Sequence, residues 1–532
     1  MKKKIAETIL LFVGLAVLAV GCAKEKEKEL VKTAEETEQE PVTFDWYVNY
    51  SWFAMDWGQN VVSKEITKET GVDINFIMPS GNESEKLNTL IASESLPDLI
   101  TLGWWEPQVN TMIEQEMVYP LNELADQYDV YFWEVSDPQV VNWYTQEDGN
   151  IYGYPNSCCT PEDVKKNDKV SSNQTFLVRK DIYEAIGSPD MTTPEGFADA
   201  VRKAKEMFPE VDGKPLIPIG GHPFGNEGNI SFDKHLMNFL AVPFEQDGKL
   251  YDRYTDPDYI TWLKMFRELG TEGLLADDIF IDQRSQIDEK IQEGRYFCMI
   301  YQYADMLDQQ KIRNANDPES VYMAVDGPKN SRGDDHTLTT TGINGWTITM
   351  ISKNCKHPDR AIQFMDYLMS EHGQKLLYLG VEGATYDMVD GKPIVRAEVN
   401  ELLNSDRSQY DKKYGADDAY WMLQNNIMQL QWEQEQEQPE AVRQLKEWSH
   451  PYVIYNGQYD SILQTDSREE NEDAKITELW GNTLPELLLA PSEEEFDRIF
   501  AEFLEKREAY GYEDVMNKKT ELMDEAKEKL GL

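Results

Sequence analysis

Apolar and polar residues alternate from position 44 to 50, in a run rich in β-forming side chains, and this period of two predicts the first strand. The run opens into an aromatic loop, Ser51-Trp52-Phe53-Ala54-Met55-Asp56-Trp57. Helical spacing follows over 60–69 and stops at Gly71. Residues 72–78 read as a second strand, 84–93 as a second helix, and 99–102 as a third strand after Pro97-Asp98. Strand and helix alternating at this spacing predict a parallel α/β sheet covered on both faces.

Further along, 149–155 reads as a turn and strand, followed by a polar loop over 156–173 and a strand at 175–179. Thr193-Pro194-Glu195 supplies an N-cap, a proline at the first helical position and an acid in the first turn. The helix it starts carries Phe197, Val201, Ala204 and Phe208 at helical spacing. Residues 296–301 and 345–352 read as buried strands, and His357-Pro358-Asp359 starts a helix through Ala361, Phe364, Met365 and Leu368. Trp421 and Trp432 lie about three helical turns apart, which reads as packing. The last forty residues read as amphipathic helices around 496–503 and 515–530.

The beginning of the chain changes the picture. Lys2, Lys3 and Lys4 precede an apolar run over 9–20, which ends in Gly21-Cys22. A basic start, a short apolar stretch and small residues at a cut predict a secretory signal over 1–21. The run is short for a spanning helix. Cys22 resembles the lipobox cysteine of bacterial lipoproteins, acylated as the new N-terminus. An uncleaved membrane anchor is the other reading, and both tether the protein to a membrane. Residues 22–43 are charged and nearly free of apolar side chains, which predicts a disordered tether with an average span of about 25 Å. The expected place is the extracellular face of the cell membrane.

The folded remainder is long enough to favour two lobes over one core. The whole chain carries a net charge of -47, a field that repels nucleic acid and anionic lipid and keeps a secreted protein soluble. Beyond Cys22, Cys158, Cys159, Cys298 and Cys355 lack the spacing of a disulfide scaffold; Cys158-Cys159 reads as two thiols or as a strained vicinal bridge. The six histidines are scattered without ligand-like spacing, so neither a metal nor another cofactor is expected.

Several landmarks occur in a fixed order. Gly71-Val72-Asp73-Ile74-Asn75-Phe76 precedes Leu87-Asn88-Thr89-Leu90-Ile91-Ala92-Ser93 and Leu96-Pro97-Asp98-Leu99-Ile100. Then come Asn150-Ile151-Tyr152-Gly153-Tyr154-Pro155, Val178-Arg179-Lys180-Asp181 and Thr193-Pro194-Glu195-Gly196-Phe197. Ile351-Ser352-Lys353-Asn354, His357-Pro358-Asp359-Arg360-Ala361, Ser370-Glu371-His372-Gly373 and Gly380-Val381-Glu382-Gly383 complete the series. Over roughly 42–532 this resembles the extracellular solute-binding lipoproteins of carbohydrate-type ABC importers, the family 1 binding proteins, in their long subgroup that includes alginate-oligosaccharide binders.

The resemblance implies an α/β, two-lobed periplasmic-binding-protein-like fold, with a central sheet flanked by helices in each lobe and a ligand cleft at the hinge. The expected division is 44–155 with 297–355 in the N-terminal lobe, and 156–296 with 356–532 in the C-terminal lobe and its helical extension. It also implies an oligosaccharide ligand, permease subunits as partners, a monomer and no catalysis. One departure concerns the calcium loop of alginate-type members: the matching stretch here, Pro209-Glu210-Val211-Asp212-Gly213-Lys214-Pro215, holds too few carboxylates.

Sugars offer flat C–H faces and rings of hydroxyls, so a site for them needs aromatic platforms and planar polar side chains. Ligands gather beyond the carboxyl ends of strands in α/β sheets. Trp52 and Trp57 follow the first strand, and Trp104 and Trp105 the third; each reads as ligand platform or core. Tyr154 falls on the expected first crossing segment, Tyr301 and Tyr303 on the second and Trp346 on the third. Glu382 and Tyr386 lie in a glycine-bounded loop that would cap the cleft, and Asn49, Asp56 and Asn344 flank the aromatics as hydroxyl partners. A secreted glycoside hydrolase would need two opposed carboxylates, and no pair stands out. A peptide-binding protein would need charge partners for the ligand termini, and none is identified.

Overall fold

The computed structural model describes residues 40–433, 438–460, 463 and 467–532. The expected signal, Cys22 and most of the expected tether therefore lie outside the described residues. Among the described residues, no helix is long and apolar enough to cross a membrane.

Two sheets organise the chain. The first contains β1 (Val42–Val48), β2 (Val72–Ile77), β3 (Leu99–Gly103), β4 (Tyr154–Pro155) and, from late in the sequence, a strand over Thr347–Ile351. Its order is β2-β1-β3, then Thr347–Ile351, then β4. β1 runs parallel to β2 and β3, with Trp46 opposite Phe76 on one side and Leu99 on the other. The late strand is antiparallel to β3 and to β4. The expected parallel sheet is thus three strands wide, extended by one antiparallel strand and then by the short β4, which runs in the direction of β1–β3 again. Alternation along β1 sends Phe44, Trp46 and Val48 to one buried face and Tyr47 to the other. The helix Val61–Thr70 stops where Gly71 turns left-handed, at φ 67°, and its N–H caps the Thr67 carbonyl.

The second sheet contains β5 (Gln174–Arg179), β6 (Ile217–Gly220), β7 (Tyr296–Gln302) and β8 (Tyr322–Ala324), in the order β8-β5-β7-β6. Only the β6–β7 pair is parallel. We number Thr347–Ile351 β9. Helices Pro194–Met207 and Pro257–Thr271 cover this sheet, and Trp480, Leu484, Phe496 and Phe503 of the C-terminal helices complete the same core.

The division between halves differs from the expected one in two places. β7 and β8, expected with the N-terminal half, pair in the second sheet, because the apolar run of β7 fills the slot between β5 and β6. Residues 356–432, expected with the C-terminal half, pack largely on the first sheet; Phe364 of the helix Pro358–Met369 lies 6.2 Å from the ring of Trp46. The last helix, Tyr512–Leu530, spans the two, since its Leu530 packs with Val140 and Ile343. On another side, the helices Leu307–Asn316 and Ala397–Ser405 lie against each other.

The stretch 209–215 is a hairpin, Glu210–Val211 against Lys214–Pro215, turned by Asp212 and Gly213 at positive φ. Cys158, Cys159, Cys298 and Cys355 are free thiols, and burial pushes Cys159 up to about 12.

Asp366, on the helix Pro358–Met369, is buried, and neither carboxylate oxygen has a hydrogen-bond partner. Burial, with Asp129 adding, lifts its pKa from 3.8 to about 9. Between those values the folded chain holds a proton that the unfolded chain releases, so this group lowers stability as pH rises from about 4 to 9. Asp366→Asn is expected to gain about 2–4 kcal/mol at pH 7 and to flatten the fall in stability between pH 5 and 9. Denaturant melts across that range check it.

Candidate functional site

Strand polarity gathers one set of loops between the halves. β1 and β3 end, and β9 begins, at one end of the first sheet, because Thr347 pairs with Gly103. β6 and β7 end, and β5 begins, at one end of the second, because Gln302 pairs with Gln174. The chain crosses from β4 to β5 through 156–173, and from β8 to β9 through 325–346. Asn156 sits against Thr347 at the first end, and Asn173 receives the N–H of Tyr303 at the second.

The first wall is aromatic. After Val48 the chain leaves the sheet with one more bond, Asn49 N–H to the Thr101 carbonyl at 2.9 Å, then turns so that Tyr50 and Phe53 are buried while Trp52 stays 57% exposed. Trp346 immediately precedes β9, and its N–H donates to the Asn156 carbonyl at 3.1 Å. A β-carbon at Gly345 would lie 1.9 Å from that same oxygen, and its φ is +68°, so only glycine fits the approach that sets Trp346. Trp421 begins a short 3₁₀ turn, and its carbonyl accepts from the Asn156 side chain at 2.9 Å. The rings of Trp52 and Trp346 lie parallel to within 5°, with centroids 6.0 Å apart. Trp346 and Trp421 are 4.5 Å apart, and Tyr50 touches all three.

Beside this shelf stands a polar chain. Tyr47 Oη donates to Asn49 Oδ1 at 2.8 Å, and Asn49 Nδ2 donates to Glu106 Oε2 at 2.6 Å. The other Glu106 oxygen accepts from Gly103 N–H at 2.7 Å, and Glu83 accepts from Ser51 N–H at 2.7 Å. Burial, with Glu83 adding, raises the Glu106 pKa against the pull of the Gly103 and Asn49 donors. The Tyr50 hydroxyl is buried without a partner, and burial together with Glu106 and Glu83 pushes its pKa well up. Trp105 is 53% exposed and folds back over Gly103, with its ring edge-on to Trp104.

The second wall follows β6 and β7. The His222 ring stacks on Tyr301 at 4.1 Å, its Nδ1 lies 2.8 Å from Ser231 Oγ, and its Nε2 lies 3.4 Å from Asp305 Oδ2. Ser231 Oγ donates to the Ile300 carbonyl at 2.7 Å, which leaves Nδ1–H as the donor to Ser231. Burial depresses the His222 pKa against the pull of Asp305. Arg284 is engaged on Asp288 at 2.8 Å and on the Asp305 carboxylate at 3.2 Å. Burial raises the Asp305 pKa, but His222 and Arg284 outweigh it and hold the carboxyl below its ordinary value. Tyr303 Oη lies 3.3 Å from Ser171 Oγ.

Of the residues singled out from sequence, Asn49, Trp52 and Trp346 come together, with Trp105 near them. Tyr303 lies on the second wall, and the others serve elsewhere. Trp57 is core, bonded to Thr67 and packed on Phe76, Phe364 and Tyr420, while the side chain of Asp56 is exposed. Trp104 is half-buried against the Leu87 cluster. Tyr154 accepts from Asp137 N–H, and Asn344 is buried, accepting from Trp143 and donating to the Asp460 carbonyl. Tyr301 is fully buried, because β7 is an interior strand and not a crossing. Glu382 is exposed next to a hairpin whose Tyr386 packs on Leu379 and Trp432. Tyr50, Glu83 and Glu106 were not singled out from sequence, whereas Trp421, read there as packing, is buried in the core beneath the shelf. The strand-end rule that picks Trp104 and Trp105 reaches Glu106 equally.

The arrangement offers parallel ring faces with hydrogen-bonding groups at their edge, and no metal cluster is present among the described residues. A family model described as bacterial extracellular solute-binding protein matches residues 62–398. The chain is 25% identical over 326 residues to a fructooligosaccharide ABC transporter substrate-binding protein of Streptococcus pneumoniae, covering 56% of each. It is 21% identical over 345 residues to lipoprotein LipO of Bacillus subtilis, covering 62% of this chain and 64% of that one. It thus spans well under two thirds of the first relative's length. In fold it is similar to the alginate-binding protein AlgQ2, at a TM-score of 0.67 and 19% identity, over 92% of this chain and 99% of that one.

Gly345→Ala is expected to cost about 2 kcal/mol or more and to shift tryptophan emission as Trp346 is displaced. Unchanged melts and spectra would show that the Gly345–Asn156 approach does not set the shelf.

Proposed function

This chain belongs to the bacterial extracellular solute-binding proteins, and from that premise we propose that it is the substrate-binding component of an ABC transporter, capturing an oligosaccharide and passing it unaltered to a permease. The observation that carries this reading is the shelf of Trp52, Trp346, Trp421 and Tyr50 beside the crossings. The exposed indole of Trp52, parallel to the half-buried ring of Trp346, suits the C–H face of a pyranose or furanose ring, and the neighbouring Asn49 and Glu106 suit hydroxyls. Trp105 extends the platform, and Tyr303 and His222 are its counterparts across the crossings. The named ligands of the similar proteins, fructooligosaccharide and alginate, support a saccharide as the class.

In the proposed cycle the halves swing about 156–173 and 325–346, and sugar between the walls favours the closed form by its greater contact there. A lipid on Cys22 would hold the monomer at the outer membrane face, a reading supported by the relative named as a lipoprotein. The carboxylates Glu83 and Glu106 are the nominees for a hydrolase. Glu106 accepts on both oxygens, from Asn49 and from Gly103 N–H, so it is held as a hydrogen-bond acceptor at the edge of the shelf.

A glycan array probed with the purified protein tests the class. Binding to oligosaccharides without cleavage products is the expected result; release of products would favour a hydrolase, and capture of peptides alone would sink the reading. Trp52→Ala and Trp346→Ala are each expected to weaken binding of the array's best glycan by about 1–3 kcal/mol in calorimetry. Unchanged affinity removes that ring from the site.

A further inference from the structure

The shelf is not electrically neutral. Two carboxylates, Glu83 and Glu106, stand at its edge, anchored by Ser51 N–H, Gly103 N–H and the Asn49 amide. The charged group that acts on Glu106 is Glu83, another acid. Both act on the hydroxyl of Tyr50, a side chain 9% exposed whose oxygen has no partner. That oxygen is buried without a partner, and a hydroxyl left so costs free energy that a donor or acceptor reaching it recovers. Its ring is 5.3 Å from Trp52 and 5.4 Å from Trp346, so the orphan hydroxyl, the acids and the platform belong to one place. The second wall does not offset this charge: its arginine, Arg284, is engaged on Asp288 and Asp305.

Resting on the saccharide reading above, we infer that Glu83 and Glu106 make this site selective for amine-bearing and uncharged sugars and against uronates. A uronate carboxylate on the shelf would meet two fixed negative charges in a partly desolvated setting, where like charges repel strongly. A hydroxyl can donate to either carboxylate. An ammonium gains in addition from the indole faces of Trp52 and Trp346. Glu83 and Glu106 are thus specificity-determining residues: they decide which sugar the aromatic surface holds, whereas the rings decide that it holds a sugar.

The test is calorimetry of the purified protein against three probe sets of equal length: chitosan oligomers, cello-oligomers and oligogalacturonates. The wild type should bind the best of the first two at least about tenfold more tightly than oligogalacturonate at low salt. Raising ionic strength should narrow that gap by screening the repulsion, a readout that needs no variant. Glu83→Gln and Glu106→Gln, alone and together, should narrow it also, with circular dichroism and melts confirming the fold. Oligogalacturonate bound as tightly as the others, or a gap unmoved by salt and by a folded amide variant, overturns the inference and leaves the saccharide reading standing. No binding of any set, with none on the glycan array, overturns both.

Discussion

One side chain, Asn156, holds together what the rest of the aromatic shelf depends on. It lies where the chain leaves the first sheet, and it is fully buried. Its backbone bonds Thr347 and Trp346, its amide oxygen accepts from Thr347 N–H at 2.7 Å, and its amide nitrogen reaches the Trp421 carbonyl. Three segments distant in sequence therefore share one polar knot, and each carries or adjoins a ring of the shelf. In a buried setting such a set is strong because both ends of the amide are engaged, and its loss leaves unpaired backbone groups behind. The backbones of Trp346 and Trp421 are held where this knot fixes them.

Much of the scaffold was legible in the sequence because its signals are local. Alternation from Phe44, the stop at Gly71 and the cap at Thr193 each depend on neighbouring residues, and β1, the helix Val61–Thr70 and the helix Pro194–Met207 begin or end within a residue or two of expectation. The family landmarks carried the two-sheet architecture. What was not legible is partnership. A continuous apolar strand such as β7 has the same pattern whichever sheet receives it, so its place beside β5 and β6 could not be read locally. The same limit explains Tyr301, which lies under His222 inside the second half.

The site divides in the same way. Trp52 and Trp346 were visible as aromatics at strand ends, and Asn49 as their polar neighbour. Trp421 reaches them only because residues 356–432 return to the first sheet, a fact of tertiary packing. Glu83 and Glu106 were hidden for another reason: in a chain with 98 acidic residues, a single carboxylate carries no signal until its burial and partners are known. Tyr50 shows the same dependence on context, since the unpaired state of its hydroxyl is a property of the assembled wall.

The final helix gives the molecule a mechanical constraint. It is rooted in the second half through Val515 beside Ile476 and through Lys519 on Asp473, yet its tip, Leu530, is wedged between Val140 and Ile343, with Lys529 over the ring of Trp143. A rod fixed at one end and seated at the other acts as a strut. The swing proposed above would either leave that seat undisturbed, by pivoting close to it, or unseat it. For that motion the strut would favour one axis: bending about a line through the Leu530 contact would leave it in place, while twisting about the long axis would drag the rod across its socket.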